Sequence, residues 1–339
     1  MLIGGLRRIL LAAFAVAAFG LIAGDQAGAY IYMGDGSTIA RANNDGTGLD
    51  TDFIDVDGFA CGVAVDSGHI YWADLNSIGR ANLDGTGVEQ SFVPFSSDPN
   101  ACGVAVNGSH VFWADRADNR IGRVALNGVG PDYDFVNVGY SPCGVAADAS
   151  YVYYGANGPG TLLNRADATT GAVAGFAGPS QAAACAVGLR GGNVYYGNFY
   201  ASGTTDIKGV GGAEFQVASG AKVPCGIAAS SSALYWTNYN RPDEGSGGSI
   251  GTVPLDSSGM PTAQPNQTFI TGVSEPCGVA VDNLPVKPSR ACTKAQKALD
   301  DAKAHLKKLK RRHASKQKLK KAKKRVKKAK AAVAAACDD

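Results

Sequence analysis

Six cysteines set the chemical possibilities of this 339-residue chain. Cys61, Cys102, Cys143, Cys185, Cys225 and Cys277 follow one another at intervals of 41, 41, 42, 40 and 52 residues. Thiols in such an array have three uses. Neighbours can join as three disulfides, which an export pathway permits. They can stay separate as small, buried packing groups. Or thiolates, together with carboxylates, can ring a soft metal ion. Six unpaired thiols on an exported chain are open to oxidation, which favours pairing. Six cysteines admit about 15 connectivities, and the sequence does not choose among them.

Other reactive side chains are sparse. Between residues 30 and 282 the histidines are His69 and His110, at the same place in successive repeats and just ahead of an aromatic strand. A repeated turn position reads as scaffold. The glutamates there are Glu89, Glu214, Glu244 and Glu275. No Ser-His-Asp order, HExxH, Walker loop or dinucleotide fingerprint is present. Asp50, Asp52, Asp55 and Asp57 form an acidic run, but without the ligand and glycine spacing of an EF-hand; it reads as a solvated hairpin. The expectation is therefore a protein that is not an enzyme, with no catalytic residue, cofactor or metal assigned.

The cysteines head a repeated stretch, and the elements follow from it. Residues 61–74 read CGVAVDSGHIYWAD, and related stretches begin at Cys102, Cys143, Cys185 and Cys225. The leading half recurs alone as CGVAVD at 277–282, and the trailing half alone as IYMGD at 31–35. Each full copy reads as two strands. Cys61, Val63 and Val65 alternate with Gly62, Ala64 and Asp66, giving a strand that is small and apolar on both faces, as a strand buried between sheets must be. A polar turn leads to the β-branched and aromatic HIYWAD. Ile78-Gly79-Arg80-Ala81 supplies a third strand, and Val88 to Val93 a fourth. Asp84-Gly85 between them reads as a two-residue hairpin turn with positive φ. Four strands in a period of about 40 residues make a blade of a β-propeller. Six inner strands mean six blades, the long last interval holding a Gly- and Ser-rich insert from Tyr239 to Ser249. The two orphan halves then pair, closing the ring with strands from both ends and removing open sheet edges.

Tyr71-Trp72-Ala73-Asp74 and Tyr235-Trp236-Thr237-Asn238, with Ile-Gly-Arg-Ala-Asn-Leu-Asp-Gly at 78–85, resemble the YWTD repeats of low-density-lipoprotein-receptor class B propellers. Pro276-x-Gly278-Val-Ala-Val-Asp282 resembles the opening of an NHL repeat. The resemblance covers about residues 30–283. Departures are the loss of Gly after Cys185 and Ala156 in the place of the motif Asp. Those families mostly bind partners, so the resemblance implies a binding module and, for the motif Asp, a structural group that holds backbone.

Propeller geometry places the start of each inner strand at the central channel, on the face that carries the loops between blades. The cysteine ring, Asp35, Asp74, Asp115, Asn198, Asn238, Tyr239 and the insert are expected to share this face. It is the candidate surface for a protein, peptide or glycan partner. Equivalent positions on a six-fold ring are expected to stand slightly beyond the Cα separation of about 7 Å that a disulfide accepts.

The two ends of the chain differ in kind. Residues 1–29 read as a signal peptide, with Arg7 and Arg8, the apolar run Ile9–Gly24 and Ala27-Gly28-Ala29 for cleavage. The run is shorter than the ~20 residues of a spanning helix, so a secreted or envelope monomer with no transmembrane segment after cleavage is expected. Residues 30–283 are the propeller and 284–290 a linker with Pro285 and Pro288. Residues 30–290 hold twelve Lys and Arg against twenty-four acidic residues, a net of −12, whereas 291–339 hold eighteen against four, a net of +14. In this basic tail Ala295, Leu299, Ala302, Leu306 and Leu309, then Leu319, Ala322, Val326, Ala329, Val333 and Ala336, recur at intervals of three and four. These are coiled-coil seams. His313-Ala314-Ser315 breaks them, with Ser315 as N-cap. Cys292 and Cys337 lie equally far from the break, so an antiparallel helical hairpin stapled at its open end is expected. Lysine-rich helices bind polyanions by counterion release. Lys307, Lys308, Lys310, Arg311, Arg312, Lys320, Lys321, Lys323, Lys324, Arg325, Lys327 and Lys328 are the candidates, with anionic envelope polymers as the expected partner. AKKAKKRVKKAKAA also resembles the basic tails of histone-like proteins, which implies DNA binding in vitro.

Overall fold

The structure, a computed structural model, describes residues 29–95, 100–157, 163–174, 176, 184–198, 204–239, 247–282, 290–311 and 315–337. The signal peptide (but for its last residue), the linker proper, most of the insert and Arg312 lie outside the described residues, as do the side chains of Asn198, Cys292 and Cys337. The expected staple between Cys292 and Cys337 therefore lies outside the described residues. Contacts divide the chain into two compact units, Gly28–Val286 and one that contains Lys287–Asp339.

The first unit is six four-stranded antiparallel sheets. The chain enters through β1 (Tyr30–Asp35), β2 (Thr38–Asn43) and β3 (Asp50–Asp55). The next sheet is β4 (Gly62–Val65), β5 (His69–Ala73), β6 (Ser77–Asn82) and β7 (Glu89–Pro94). Then come β8 (Ala101–Val106), β9 (His110–Asp115), β10 (Arg120–Ala125) and β11 (Asp132–Asn137). The fourth sheet is β12 (Ser141–Ala147), β13 (Tyr151–Asn157), β14 (Leu163–Asp167) and β15 (Val173–Ala174). The fifth is β16 (Ala184–Arg190), β17 (Asn193–Asn198), β18 (Thr204–Val210) and β19 (Glu214–Lys222). The sixth is β20 (Ile227–Ala229), β21 (Ala233–Asn238), β22 (Ser249–Pro254) and β23 (Asn266–Thr271). The last strand, β24 (Pro276–Val281), joins the first sheet in the order β24-β1-β2-β3, with Tyr32 opposite Ala280 and Met33 opposite Val279. The ring is closed by strands from both ends, as the orphan halves of the repeat imply.

Each blade is built around its second strand. Trp72, Trp113 and Trp236 are fully buried there. They stand opposite Gly79, Gly122 and Gly251 of the third strand. A Cβ on those glycines would lie 2.1, 2.2 and 2.3 Å from the indole rings, so the glycine of Ile-Gly-Arg makes the space that the tryptophan fills. At the rim, Arg41, Arg80 and Arg123 of third strands lie 3.9, 4.0 and 3.8 Å from the ring centres of Phe53, Phe92 and Phe135 on fourth strands, a cation–π pair repeated from blade to blade.

Two local expectations change. His69 and His110 open β5 and β9 rather than sitting in the turn before them. The Asp-Gly turn is longer than a two-residue hairpin: β6 ends at Asn82 and β7 starts at Glu89. Gly85 and Gly87 take φ of 83° and 64°, while the Asp84 carboxylate accepts from Thr86 N at 3.0 Å and Thr86 Oγ1 at 2.6 Å. The aspartate acts through its side chain, so it does not need the left-handed backbone a two-residue turn demands.

The second unit holds α1 (Arg290–Arg311) and α2 (Lys316–Cys337), an antiparallel pair packed on each other. Leu299 and Ala322 are buried and Leu306, Leu309, Leu319 and Val326 half-buried, while Lys307, Lys308, Lys310 and Arg311, and from Lys320 to Lys328 every lysine and arginine, are exposed. The backbone oxygen of Ser315 accepts from Leu319 N at 3.1 Å, which makes Ser315 the residue that opens α2.

Candidate functional site: the cysteine ring and the motif carboxylates

The cysteines stand at the start of the inner strands, and adjacent blades are bridged in pairs. Cys61 is bonded to Cys102, Cys143 to Cys185 and Cys225 to Cys277, with Cα separations of 4.9, 4.7 and 4.9 Å. This corrects the expectation that ring geometry holds equivalent positions slightly beyond bridging range. The reason is the glycine after each cysteine. A Cβ on Gly62 would lie 2.3 Å from the carbonyl oxygen of Cys102, one on Gly103 2.3 Å from that of Cys143, and one on Gly144 2.5 Å from that of Cys185. Without side chains at these points the inner strands close up until the sulfurs meet. Of the three uses open to the thiols, pairing is the one the structure takes.

Cys61, Cys102, Cys143, Cys185 and Cys277 form one buried cluster, with Cys225, Phe59 and Leu75 packed against it. The ring encloses a cavity of about 40 Å³, room for little more than a water molecule. Farther along the same strands lies a wider cavity of about 190 Å³, lined by Val65, Val106, Ala147, Leu189, Ala229 and Val281. Among the described residues one set of metal-ligating atoms converges, the sulfurs of Cys61, Cys102 and Cys277, all within 4.8 Å of one another. The disulfides engage all three.

The motif acids lie at the same end of the blades as the cysteines. Asp35 pairs with Pro276, Asp115 with Ala101 and Asn198 with Ala184, in each case the residue just before a cysteine. Asp35, Asp74, Asp115 and Asn238 are buried, and their polar atoms hold backbone. Asp74 accepts from the amides of Asn76 and Ser77 at 2.9 and 2.6 Å. Asp115 accepts from the amides of Ala117 and Asp118 and from Arg120 Nε at 3.2 Å. Asp35 reaches across the closure to the amides of Ser274 and Glu275 at 2.8 and 2.5 Å. Asn238 accepts from Lys222 N at 2.9 Å and donates to Gln267 O at 2.8 Å. These groups frame the face and order its loops. Tyr239 is half-buried; Asn238 before it lines a cleft of about 350 Å³ together with Lys222, Gly248, Ser249 and Gln267.

Two residues escaped sequence reasoning. Thr237 stands where two of the other motifs have Ala73 and Ala114 and the rest have Gly34, Gly155 and Gly197. Its hydroxyl accepts from the amides of Cys225 and Gly226 at 3.0 and 2.9 Å and donates to Cys277 O at 3.1 Å. Ala186 takes the place of glycine after Cys185 and is fully buried. The signal for both was the departure from the repeat. Burial pushes the Tyr71 phenol far above its usual range, with the Asp66 carboxylate acting the same way; burial, then Arg123, holds His110 below its ordinary value. Neither group is placed to react.

No family model and no curated protein matches the chain. Solved structures do match in fold. A chain of the nidogen/laminin complex superposes with a TM-score of 0.59 at 14% identity, over 75% of this chain and 98% of that one. A streptogramin B lyase gives 0.52 at 17% identity over 75% and 87%. The virginiamycin B lyase of Staphylococcus aureus gives 0.51 at 18% identity over 75% and 88%. At these identities the likeness is one of architecture: the chain is a six-bladed β-propeller, similar in fold to a chain of the nidogen/laminin complex and to the two lyases.

Proposed function

We propose that the chain is an exported interaction module. Its disulfide-braced propeller meets a protein, peptide or glycan at the loop face, and its lysine-rich helices retain it on anionic envelope polymers. Three disulfides fit an oxidising compartment, and no helix among the described residues is long and apolar enough to cross a membrane. The structural neighbour from the nidogen/laminin complex is a propeller found in an assembly. The observation that carries the reading is the helical unit, whose apolar seam faces inward while the described lysines of both helices are exposed. Such a surface attracts polyanions with steep salt dependence. The test compares the full chain with one lacking residues 291–339 on immobilised polyphosphate. The full chain is expected to bind at low salt and to elute as salt rises, and the shortened chain to flow through. Equal retention of the two chains at low salt would overturn the tail's role.

An enzymatic reading has one observation behind it, the two lyases among the structural neighbours. The enzyme in question would resemble the metal-dependent lactonases among six-bladed propellers, which calls for a divalent ion held in the channel. Native mass spectrometry separates the readings: an ion retained by the intact protein and lost on Asp74→Ala favours an enzyme. Asp74→Ala changing stability alone favours the interaction module.

A further inference from the structure

The cysteine ring has six junctions between inner strands, and five of them are alike. Glycine follows the cysteine, and the next strand lies against it: a Cβ on Gly62 would fall 2.3 Å from Cys102 O, one on Gly226 2.8 Å from Cys277 O and one on Gly278 2.5 Å from Val63 N. The sixth junction, between Cys185 and Cys225, has Ala186, whose methyl takes up the room in which the neighbouring backbone lies elsewhere. At the spacing of the other junctions that methyl would overlap the next strand, so the Cys225 end of the strand must be set differently. The inner strand of that blade begins only at Ile227 and is three residues long. The amides of Cys225 and Gly226 turn to Thr237 Oγ1 instead. Val223 just before them has φ of +42°, a region a β-branched residue rarely enters. Cys225 is the one ring cysteine that is only partly buried.

Six equivalent cysteines have two complementary pairings. One is observed. The other joins Cys277 to Cys61, Cys102 to Cys143 and Cys185 to Cys225. Its first junction is already in contact, since Cys61 Sγ and Cys277 Sγ are 3.6 Å apart. Its last is the junction that Ala186 holds open. A fully oxidised ring therefore has one connectivity, whereas a ring that has lost one disulfide can rearrange at every junction but that one.

We propose that the ring is a two-electron thiol–disulfide exchange site for external dithiols, attacked at Cys225, in which the disulfides move between registers everywhere except across the Ala186 junction. A dithiol thiolate attacks Cys225 Sγ, forming a mixed disulfide and releasing the Cys277 thiolate. The second thiol of the dithiol closes on the first, leaving as a cyclic disulfide and freeing Cys225. The dithiol is oxidised by two electrons and the Cys225–Cys277 bond is reduced by two. Cys277 then displaces Cys102 from Cys61, and Cys102 displaces Cys185 from Cys143. These two exchanges conserve electrons and pass the negative charge of the Cys277 thiolate on to Cys185, which takes up the proton the dithiol lost on ionising. The ring then holds Cys61–Cys277 and Cys102–Cys143, with free thiols at Cys185 and Cys225 facing each other over the open junction. Exchange of this kind passes through thiolate attack on a disulfide sulfur and is limited by access, which singles out Cys225.

The experiment titrates the folded, oxidised full chain with dithiothreitol until two ring thiols per chain are exposed. It then quenches in acid, blocks thiols with N-ethylmaleimide and maps the remaining disulfides by non-reducing peptide mass spectrometry, scoring the six ring cysteines alone. The new linkages Cys61–Cys277 and Cys102–Cys143 are expected, with no Cys185–Cys225. Native linkages alone, a Cys185–Cys225 linkage, or no ring thiols before unfolding would each overturn the proposal. Ala186→Gly is expected to admit the Cys185–Cys225 linkage under the same titration; its absence there would remove Ala186 from the argument and the proposal with it.

Discussion

At the scale of single residues, the blades depend on side chains that are missing. Gly122 sits opposite Trp113 so closely that a methyl group would fall 2.2 Å from the indole ring. Trp113 is fully buried and packed between Phe95 and Tyr133, so the ring has nowhere to go. Gly122→Ala overpacks the blade and is expected to lower unfolding stability by about 1–3 kcal/mol, seen as a lower midpoint in urea with Trp fluorescence as the probe. A midpoint equal to that of the wild type would mean the blade relaxes freely and that the tryptophan–glycine pairing is incidental. The motif acids show the opposite dependence, on polar atoms that are present. Asp74 is buried, and three donors from Asn76 and Ser77 converge on it. It follows that the part of the motif most conspicuous in the sequence works as scaffold, while chemistry concentrates on the cysteines.

At the scale of elements, the turns between third and fourth strands carry a charge device. Asp45, Asp84 and Asp256 each accept from a hydroxyl and an amide two residues on, at Thr47, Thr86 and Ser258. Those hydroxyl bonds first, then the amide bonds, hold the three carboxyls below the ordinary value of 3.8. Asp167 is held down in the same way by the amides of Thr170 and Thr169. A depressed folded pKa contributes stability that is present above the unfolded value and lost as pH falls through the folded one. Stability in urea is therefore expected to fall as pH drops below about 5, where the unfolded carboxyls begin to take up protons ahead of the folded ones. Replacing Asp45, Asp84 and Asp256 by asparagine should flatten that decline; an unchanged acid limb would locate it elsewhere. These turns also show where the sequence was legible. The period, the four strands per blade, the orphan halves at 31–35 and 277–282 and the helical seam at Leu299 and Ala322 were all readable, because burial imposes spacing on side-chain type. The turn geometry was not, because Asp-Gly serves both as a two-residue hairpin and as a side-chain cap. The disulfide register was not either. Six cysteines in one repeated context are degenerate in sequence, and what departs from the repeat beside them, Ala186 and Thr237, is a matter of single residues.

At the scale of the whole molecule, the ring is held shut by contacts between residues about 240 positions apart. In its third motif the acid orders its own turn, Asp115 holding Ala117 and Asp118. Asp35 holds Ser274 and Glu275 instead, at sequence separations of 239 and 240. The same residue type in the same repeat position thus has a local task in one blade and a global task in another. The difference arises because the closing blade takes its inner strand β24 from the far end of the chain, with Ile31 opposite Val281 and Asp35 opposite Pro276. Cys277 adds a covalent link from that strand to Cys225 in the preceding blade, but β24 joins β1 without a covalent bond, through backbone pairing and the packing of Ile31 and Met33 with Val279 and Val281. Asp35→Ala removes the acceptor for two backbone donors and is expected to cost about 1–3 kcal/mol. The cost should fall at the seam. Hydrogen exchange followed by mass spectrometry should show the amides of residues 276–281 losing protection, while those of β8 and β12 keep theirs. Asp115→Ala, matched in chemistry, should leave residues 276–281 protected and loosen 116–119. If both variants deprotect β24 equally, closure is a property of the ring as a whole and Asp35 has no special place in it; if only Asp35→Ala does, the joint between the two ends is the weakest point of the propeller and the first to open.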